Sequence, residues 1–166
     1  MNEAHLHLLV NHFPIIGTLF GLGILITGML LKNNSVKNTA YILFIVAAFF
    51  SAFSMGTGEG AEELVEDLPN IGKEIIHEHE EIAEKFAIIM YATGLFGLLS
   101  LYTSIKNHKL AKVISLITLF LALFAAVFAK SVGTSGGEIR HTEIRSNSGT
   151  VSNENATGIQ NEIDED

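Results

Sequence analysis

The stretch LFGLGILITGMLLKNNSVKN, residues 19–38, decides the fold class. Residues 19–31 carry no charge, and the apolar run ends abruptly at a lysine. A helix of a soluble bundle would show a polar stripe on its solvent face. No such stripe is present here or in residues 113–129. The pattern therefore predicts transmembrane helices and not the core helices of a soluble bundle.

Four apolar runs lie at residues 8–31, 39–55, 82–105 and 110–129. A helix needs about 20 apolar residues to cross ~30 Å of hydrocarbon. Three of the runs reach that length, and the second can extend by a turn. We therefore expect an all-α fold, an integral membrane four-helix bundle, over residues 1–145. The polar and acidic residues 146–166 have little to bury, and we expect a disordered tail there.

Composition limits the function classes. Only 17% of residues are charged, against roughly 25% in a soluble domain. The formal net charge of −8 provides no basic face for nucleic acid. The chain has no cysteine, which excludes disulfides, thiolate zinc sites, iron–sulfur clusters and covalent c-type haem.

Charge also predicts an orientation. Lysines mark the loops after the first and third runs, KNNSVKN (32–38) and KNHKLAK (106–112), and neither loop holds an acid. All 18 Asp and Glu lie on the other side. Short basic loops are typical of the cytoplasmic face. We therefore expect a multi-pass protein of the bacterial inner membrane, with both termini periplasmic or extracytoplasmic.

The histidines fall mostly on the acidic side, and three segments carry them to one end of the bundle. This favours a shared site, because neutral imidazole suits haem iron, copper and zinc. The six on that side are His5, His7, His12, His77, His79 and His141.

The segment KEIIHEHEEIAEKF, residues 73–86, reads as an amphipathic helix. Residues three or four apart share a helix face. His77 then lies on a charged stripe and His79 on an apolar one. His79 is therefore the predicted inward histidine and the best single ligand.

Proline shapes the first segment. Pro14 either opens the helix or kinks one that starts earlier, and the kink would leave the Val10 carbonyl without its donor. In both cases the backbone beside His12 is irregular and polar. Such backbone is tolerated at membrane depth where it lines a cavity or site, which favours His12 as a second ligand.

The segment KSVGTSGGEIRHTEIR, residues 130–145, follows the fourth run. Its glycines predict a tight turn on leaving the membrane. Glu138 and His141 form Glu-x-x-His, a spacing that di-iron helix bundles also use. Arg140 and Arg145 are candidates to pair with Glu143, with the acidic loop or with a haem propionate.

Residues 56–72, GTGEGAEELVEDLPNIG, also contain several glycines. They predict a tight exit from the second span and a short amphipathic helix between spans two and three. Glu59 is either a partner of a histidine or a solvated residue. In the first span, Gly17 and Gly21 form Gly-x-x-x-Gly, a close-packing surface for another helix and a candidate homo-oligomer contact.

Four segments together resemble an uncharacterised family of four-span bacterial membrane proteins: HLHLLVNHFPIIGTLFG (5–21), TGEGAEE (57–63), HEHEE (77–81) and GGEIRHTEIR (136–145). Its members carry His-Phe-Pro at the first span, Thr-Gly after the second, a His at the third, and Gly-Gly with a later His at the fourth. The resemblance implies the four-span fold and points at His12, His79 and His141. Similar small four-helix membrane proteins often hold b-type haem between histidines, which is an analogy.

The leading hypothesis is an outer-face cluster that binds haem b or a transition metal ion, for electron transfer or redox sensing with a membrane or periplasmic partner. Haem would be held by two imidazoles, His79 and either His12 or His141, with Arg140 at the propionates. A metal site would draw on His12, His79, His141, Glu59, Glu138 and His7.

Two alternatives stay open: an accessory subunit whose histidines only form hydrogen bonds, and an ion carrier. The carrier has least support, because no span has an ionisable residue near its middle. No nucleophile–base pair stands out either, so we expect that the protein is not an enzyme by itself.

Overall fold

The computed structural model describes residues 2–66 and 71–145, and each element within them is helical. The predicted tail at 146–166 lies outside the described residues. In chain order the helices are α1 (Glu3–Val10), α2 (His12–Leu30), α3 (Asn34–Val65), α4 (Lys73–Ile105) and α5 (Ala111–Arg140), and the 3-10 turn Thr142–Ile144 follows.

The four long helices form a bundle. Each packs against the next in the chain, α5 returns to pack against α2, and α1 lies against α3. Counting α1 and α2 as one helix, four helices are long and apolar enough to cross a membrane. The predicted all-α, four-span architecture is confirmed.

The interior is built from small and hydroxyl-bearing side chains, while large apolar side chains point outward. Thr18, Ala122 and Thr118 are fully buried, whereas Leu30 is 78% exposed and Ile88 is 67% exposed. A soluble bundle has the opposite arrangement. Small residues inside and large apolar residues outside are typical of helices that pack in lipid.

Hydroxyl groups link the helices inside the bundle. The Tyr41 hydroxyl donates to Ser115 Oγ at 2.7 Å, joining α3 to α5. Ser100 Oγ and Thr118 Oγ1 lie 2.8 Å apart and join α4 to α5. These pairs satisfy polar groups that lipid cannot solvate.

Glycines set the closest helix contacts. A Cβ added at Gly21 would lie 2.6 Å from Phe44 Cε1, and one added at Gly17 would lie 2.9 Å from Ala47 Cβ. Both partners belong to α3 of the same chain. The predicted close-packing surface at Gly17 and Gly21 therefore serves α3 within the chain, and the homo-oligomer contact through these glycines stays a prediction.

One end of the bundle carries both tight turns, and we call it the lysine end (residues 31–37 and 106–112). Lys32 and Asn107 have left-handed backbone, with φ of 51° and 47°. The next amide in each turn bonds back to the helix, from Asn33 N to Gly28 O and from His108 N to Thr103 O, both at 2.9 Å. This is the Schellman motif, so both turns are tied to the preceding helix.

The opposite end extends well past a bilayer. Helices α3, α4 and α5 contain 32, 33 and 30 residues, or about 45–50 Å each at 1.5 Å per residue. Measured from the lysine end, roughly 15–20 Å of each helix lies beyond ~30 Å of hydrocarbon. We call this extension the collar: α1 with residues 54–66, 73–85 and 131–145.

Two sequence-based expectations about the collar are wrong. Helix α3 continues through its glycines to Val65, so no separate amphipathic helix begins at residue 61, and α5 continues through residues 133–137 without a turn. A glycine costs a helix only about 1 kcal/mol. At two of these glycines the absent side chain leaves room for a group on another segment: Gly60 faces Glu3, and Gly136 faces His79.

We predict that Gly94→Ala lowers the free energy of unfolding by about 1–3 kcal/mol, because the new Cβ would overlap the Ala48 side chain. Gly23→Ala is the matched control, since no atom lies within 4 Å of its Cβ position, and it should be neutral or slightly stabilising. Unfolding of the detergent-purified variants, followed by circular dichroism, measures both. Equal losses would contradict the α3–α4 contact.

Candidate histidine site in the collar

His7 is anchored to the collar part of α3. Its Nδ1 lies 3.1 Å from the Ser54 carbonyl oxygen and 3.3 Å from Thr57 Oγ1. A carbonyl oxygen only accepts, so Nδ1 carries the proton and donates. The ring is half-buried between α1 and α3.

His79 is anchored to α5 in the same way. Its Nδ1 lies 2.9 Å from Ser135 Oγ, and that hydroxyl donates its own hydrogen to the Val132 carbonyl at 3.3 Å. When the hydroxyl makes this bond to the carbonyl, it accepts from the ring and Nδ1 of His79 carries the proton. A Cβ at Gly136 would lie 3.1 Å from His79 Cε1, so a side chain there would press on the ring.

In that arrangement both imidazoles keep a lone pair on Nε2. Within residues 2–66 and 71–145, no group forms a hydrogen bond with either Nε2. The two rings lie within electrostatic range of one another. An imidazole held by its Nδ1 hydrogen, with Nε2 open, is the usual state of a histidine that ligates a metal or haem iron. The collar can therefore present two such nitrogens from different helices.

His12 lies outside this pair. Asn11 has right-handed helical backbone, so the chain runs from α1 into α2 and Pro14 kinks a helix that starts earlier. His12 is exposed on this helix. It lies within electrostatic range of His7, but no contact joins it to His79 in the described residues.

His141 lies on the surface. It is exposed just beyond α5, with Nδ1 2.9 Å from Glu143 Oε1. The backbone N–H of Glu143 and the His141 imidazole lower the pKa of the Glu143 carboxyl. Because α5 does not turn at its glycines, His141 is carried six residues past Ser135, or about 9 Å along the helix. In the described residues, His12, His79 and His141 do not form a group that could hold an ion, whereas His7 lies within electrostatic range of His79.

The remaining candidates are spread over the collar surface. Glu59 and Arg140 are exposed, and Glu138 is half-buried. Arg145 caps the end of α5, donating from Nε to the Glu138 carbonyl at 2.7 Å. The described residues contain no group of three His, Asp or Glu side chains that could hold an ion. The proposed joint use of Glu59 and Glu138 with the histidines is thus not found in them.

The assignment of the two α4 histidines to opposite stripes is confirmed. The His77 side chain is 73% exposed and lies 3.6 Å from Glu81 and 3.8 Å from Glu80. His79 is half-buried against α5. Among the described residues, His79 has a hydrogen bond to another helix, whereas the ion pairs of His77 lie within α4.

We predict that His79→Ala, without any cofactor, lowers the free energy of unfolding by about 1–2 kcal/mol, because it removes a packed ring and its bond to buried Ser135. His77→Ala is the control, and a change within ~0.5 kcal/mol is expected at its exposed position. Thermal unfolding of the detergent-purified variants measures both. Similar losses for the two would contradict the assigned faces of α4.

Comparison of the chain with protein-family models, with curated proteins and with solved structures finds no match. The resemblance to a four-span bacterial family therefore stays a prediction.

Proposed function

We propose that the protein is an integral membrane haem protein that holds b-type haem between His7 and His79 in the collar. Its role would be electron transfer or redox sensing. The observation that carries this proposal is the pair of half-buried imidazoles, each anchored through Nδ1 and each with an open Nε2.

The ligand number favours haem. Haem iron takes one or two ligands from the protein, and the collar offers two imidazoles on separate helices. When bound, haem supplies reversible one-electron chemistry. A transition metal ion would use the same two nitrogens and would need further ligands, such as water.

The surroundings of the pair suit a partly apolar group. Val10 and Ile76 lie one helical turn from His7 and His79, respectively, and both are buried. Arg140 follows Gly136 by four residues and so shares its face of α5, one turn farther out. Its exposed guanidinium is the group that we assign to a propionate.

The anchoring residues have a definable role. Ser54, through its carbonyl, fixes the tautomer and orientation of His7, and Ser135, through its hydroxyl, holds the orientation of His79. Such partners also make the open nitrogen more basic. In this proposal they are positioning residues and the histidines are the ligands.

The collar also suits exchange with a partner. It extends beyond the hydrocarbon and so is accessible to a soluble redox protein. We propose that the collar is extracytoplasmic and that the lysine end faces the cytoplasm, in the inner membrane of a bacterium, because short lysine-bearing turns favour the cytoplasmic side.

An accessory-subunit function is the second candidate. The bonds from His7 to Ser54 and from His79 to Ser135 tie α1 to α3 and α4 to α5. Histidines that only join helices would form the same bonds. The two candidates differ in whether anything binds at Nε2.

We predict that protein purified from cells supplied with haem shows a Soret band that shifts on reduction. His7→Ala and His79→Ala should each remove the bis-histidine spectrum, because each deletes one ligand. His12→Ala and His141→Ala are matched controls on exposed histidines and should retain it. Absorbance spectra of oxidised and reduced samples measure all four.

Three results would contradict the proposed haem site between His7 and His79. A spectrum lost with His12→Ala or His141→Ala, but not with His7→Ala, would move the site. A colourless protein that retains zinc or copper by elemental analysis would assign the pair to a metal ion. A colourless and metal-free protein, prepared with both supplied, would favour the accessory subunit.

We predict that Gly72→Cys is labelled by an impermeant thiol reagent in intact cells and that Ser35→Cys is labelled only after the cells are opened. The chain has no cysteine of its own. Within residues 2–66 and 71–145, no atom of another segment lies within 4 Å of the Gly72 Cβ position, and Ser35 is exposed at the lysine end. The reverse pattern would place the collar in the cytoplasm.

A further inference from the structure

The lysine end concentrates positive charge without any acid. It carries Lys32, Lys37, Lys106, Lys109 and Lys112. No Asp or Glu occurs in residues 4–58 or 85–137, so the helices at this end bring no carboxylate to it. Among the described residues, none of the five lysines forms an ion pair.

Backbone hydrogen bonds hold the two lysine-bearing turns in place. Both turns are closed by Schellman hydrogen bonds. The stem of Lys37 packs on α2, where a Cβ at Gly28 would lie 2.8 Å from Lys37 Cγ. Successive helices run in opposite directions, and α2 packs on α5 and α3 on α4. The α2–α3 turn and the α4–α5 turn therefore lie at the same end of the bundle.

The other two lysines at a membrane boundary differ. Lys85 pairs with Glu81 at 3.1 Å, and Lys130 lies at the collar, where the acids are. Charge at the collar is thus mixed, while charge at the lysine end has one sign. Neutralising Lys85 and Lys130 provides a matched control.

We infer that the lysine end binds the headgroups of anionic phospholipids in the leaflet that it faces, in preference to zwitterionic ones. The apolar helix surfaces stop where the lysines begin, at the depth at which lipid phosphates lie. Charge complementarity favours the anionic lipids. A lysine near an anionic surface strengthens binding by about fivefold at low salt. This inference does not depend on haem.

The test uses the full chain in detergent with equal amounts of phosphatidylglycerol and phosphatidylcholine, and native mass spectrometry counts the retained lipids. We expect severalfold more phosphatidylglycerol on the wild type. The variant K106Q/K109Q/K112Q should lose most of this preference. K106R/K109R/K112R keeps the charge and should retain it, as should K85Q/K130Q.

Several outcomes would overturn the inference. These are equal retention of the two lipids, an unchanged preference in the triple glutamine variant, and loss of preference in K85Q/K130Q. Displacement of phosphatidylglycerol by inorganic phosphate at matched concentration would show a phosphate-ion site. If the triple variant does not fold, the wild type still decides, because its preference must fall as ionic strength rises.

Discussion

The close approach of helices at glycine is the contact on which the rest of the structure depends. Within the spans, Gly21 brings α2 onto Phe44, and Gly94 brings α4 onto Ala48. Lipid tails give helices no hydrophobic reason to associate, so packing contact must supply the attraction. The same kind of contact continues into the collar, where the His79 ring lies against Gly136. The close packing at glycine that holds the spans together is thus repeated at one of the two histidines.

The architecture followed from the sequence because the bilayer imposes a simple rule. Uncharged runs of membrane length must be helical, and this was enough to predict four spans. The helix over residues 73–86 and its two stripes followed from a period of 3.6, since Glu74 and His79 mark opposite faces. The ends of the helices did not follow. Glycine is read as a helix terminator, but in a helix it also makes room, and sequence alone does not separate the two uses.

The same ambiguity explains why the sequence pointed to His12 and His141 and not to His7. Reading Gly133 and Gly136 as a turn brought His141 back toward the bundle, whereas the continuous helix carries it away. Reading Pro14 as the main irregularity favoured His12, whereas the helix continues through Asn11 and leaves that ring exposed. The contacts that distinguish His7 are its hydrogen bonds to Ser54 and Thr57 across α1 and α3. The one to Thr57 can be recognised only once α3 is known to extend past Met55.

The two ends of the bundle answer different physical demands. At the lysine end the chain reverses within a few residues, which requires left-handed backbone at Lys32 and Asn107. These short turns place several lysines close together at a membrane surface. In the collar the helices continue, and polar side chains of one helix form hydrogen bonds with a neighbouring helix. An imidazole there can bond a carbonyl or hydroxyl through Nδ1 and still keep Nε2 free. In His7 and His79, Nδ1 holds two helices together while Nε2 has no hydrogen-bond partner among the described residues. The hydrogen bonds that stabilise the collar would therefore also orient the two rings toward a ligand.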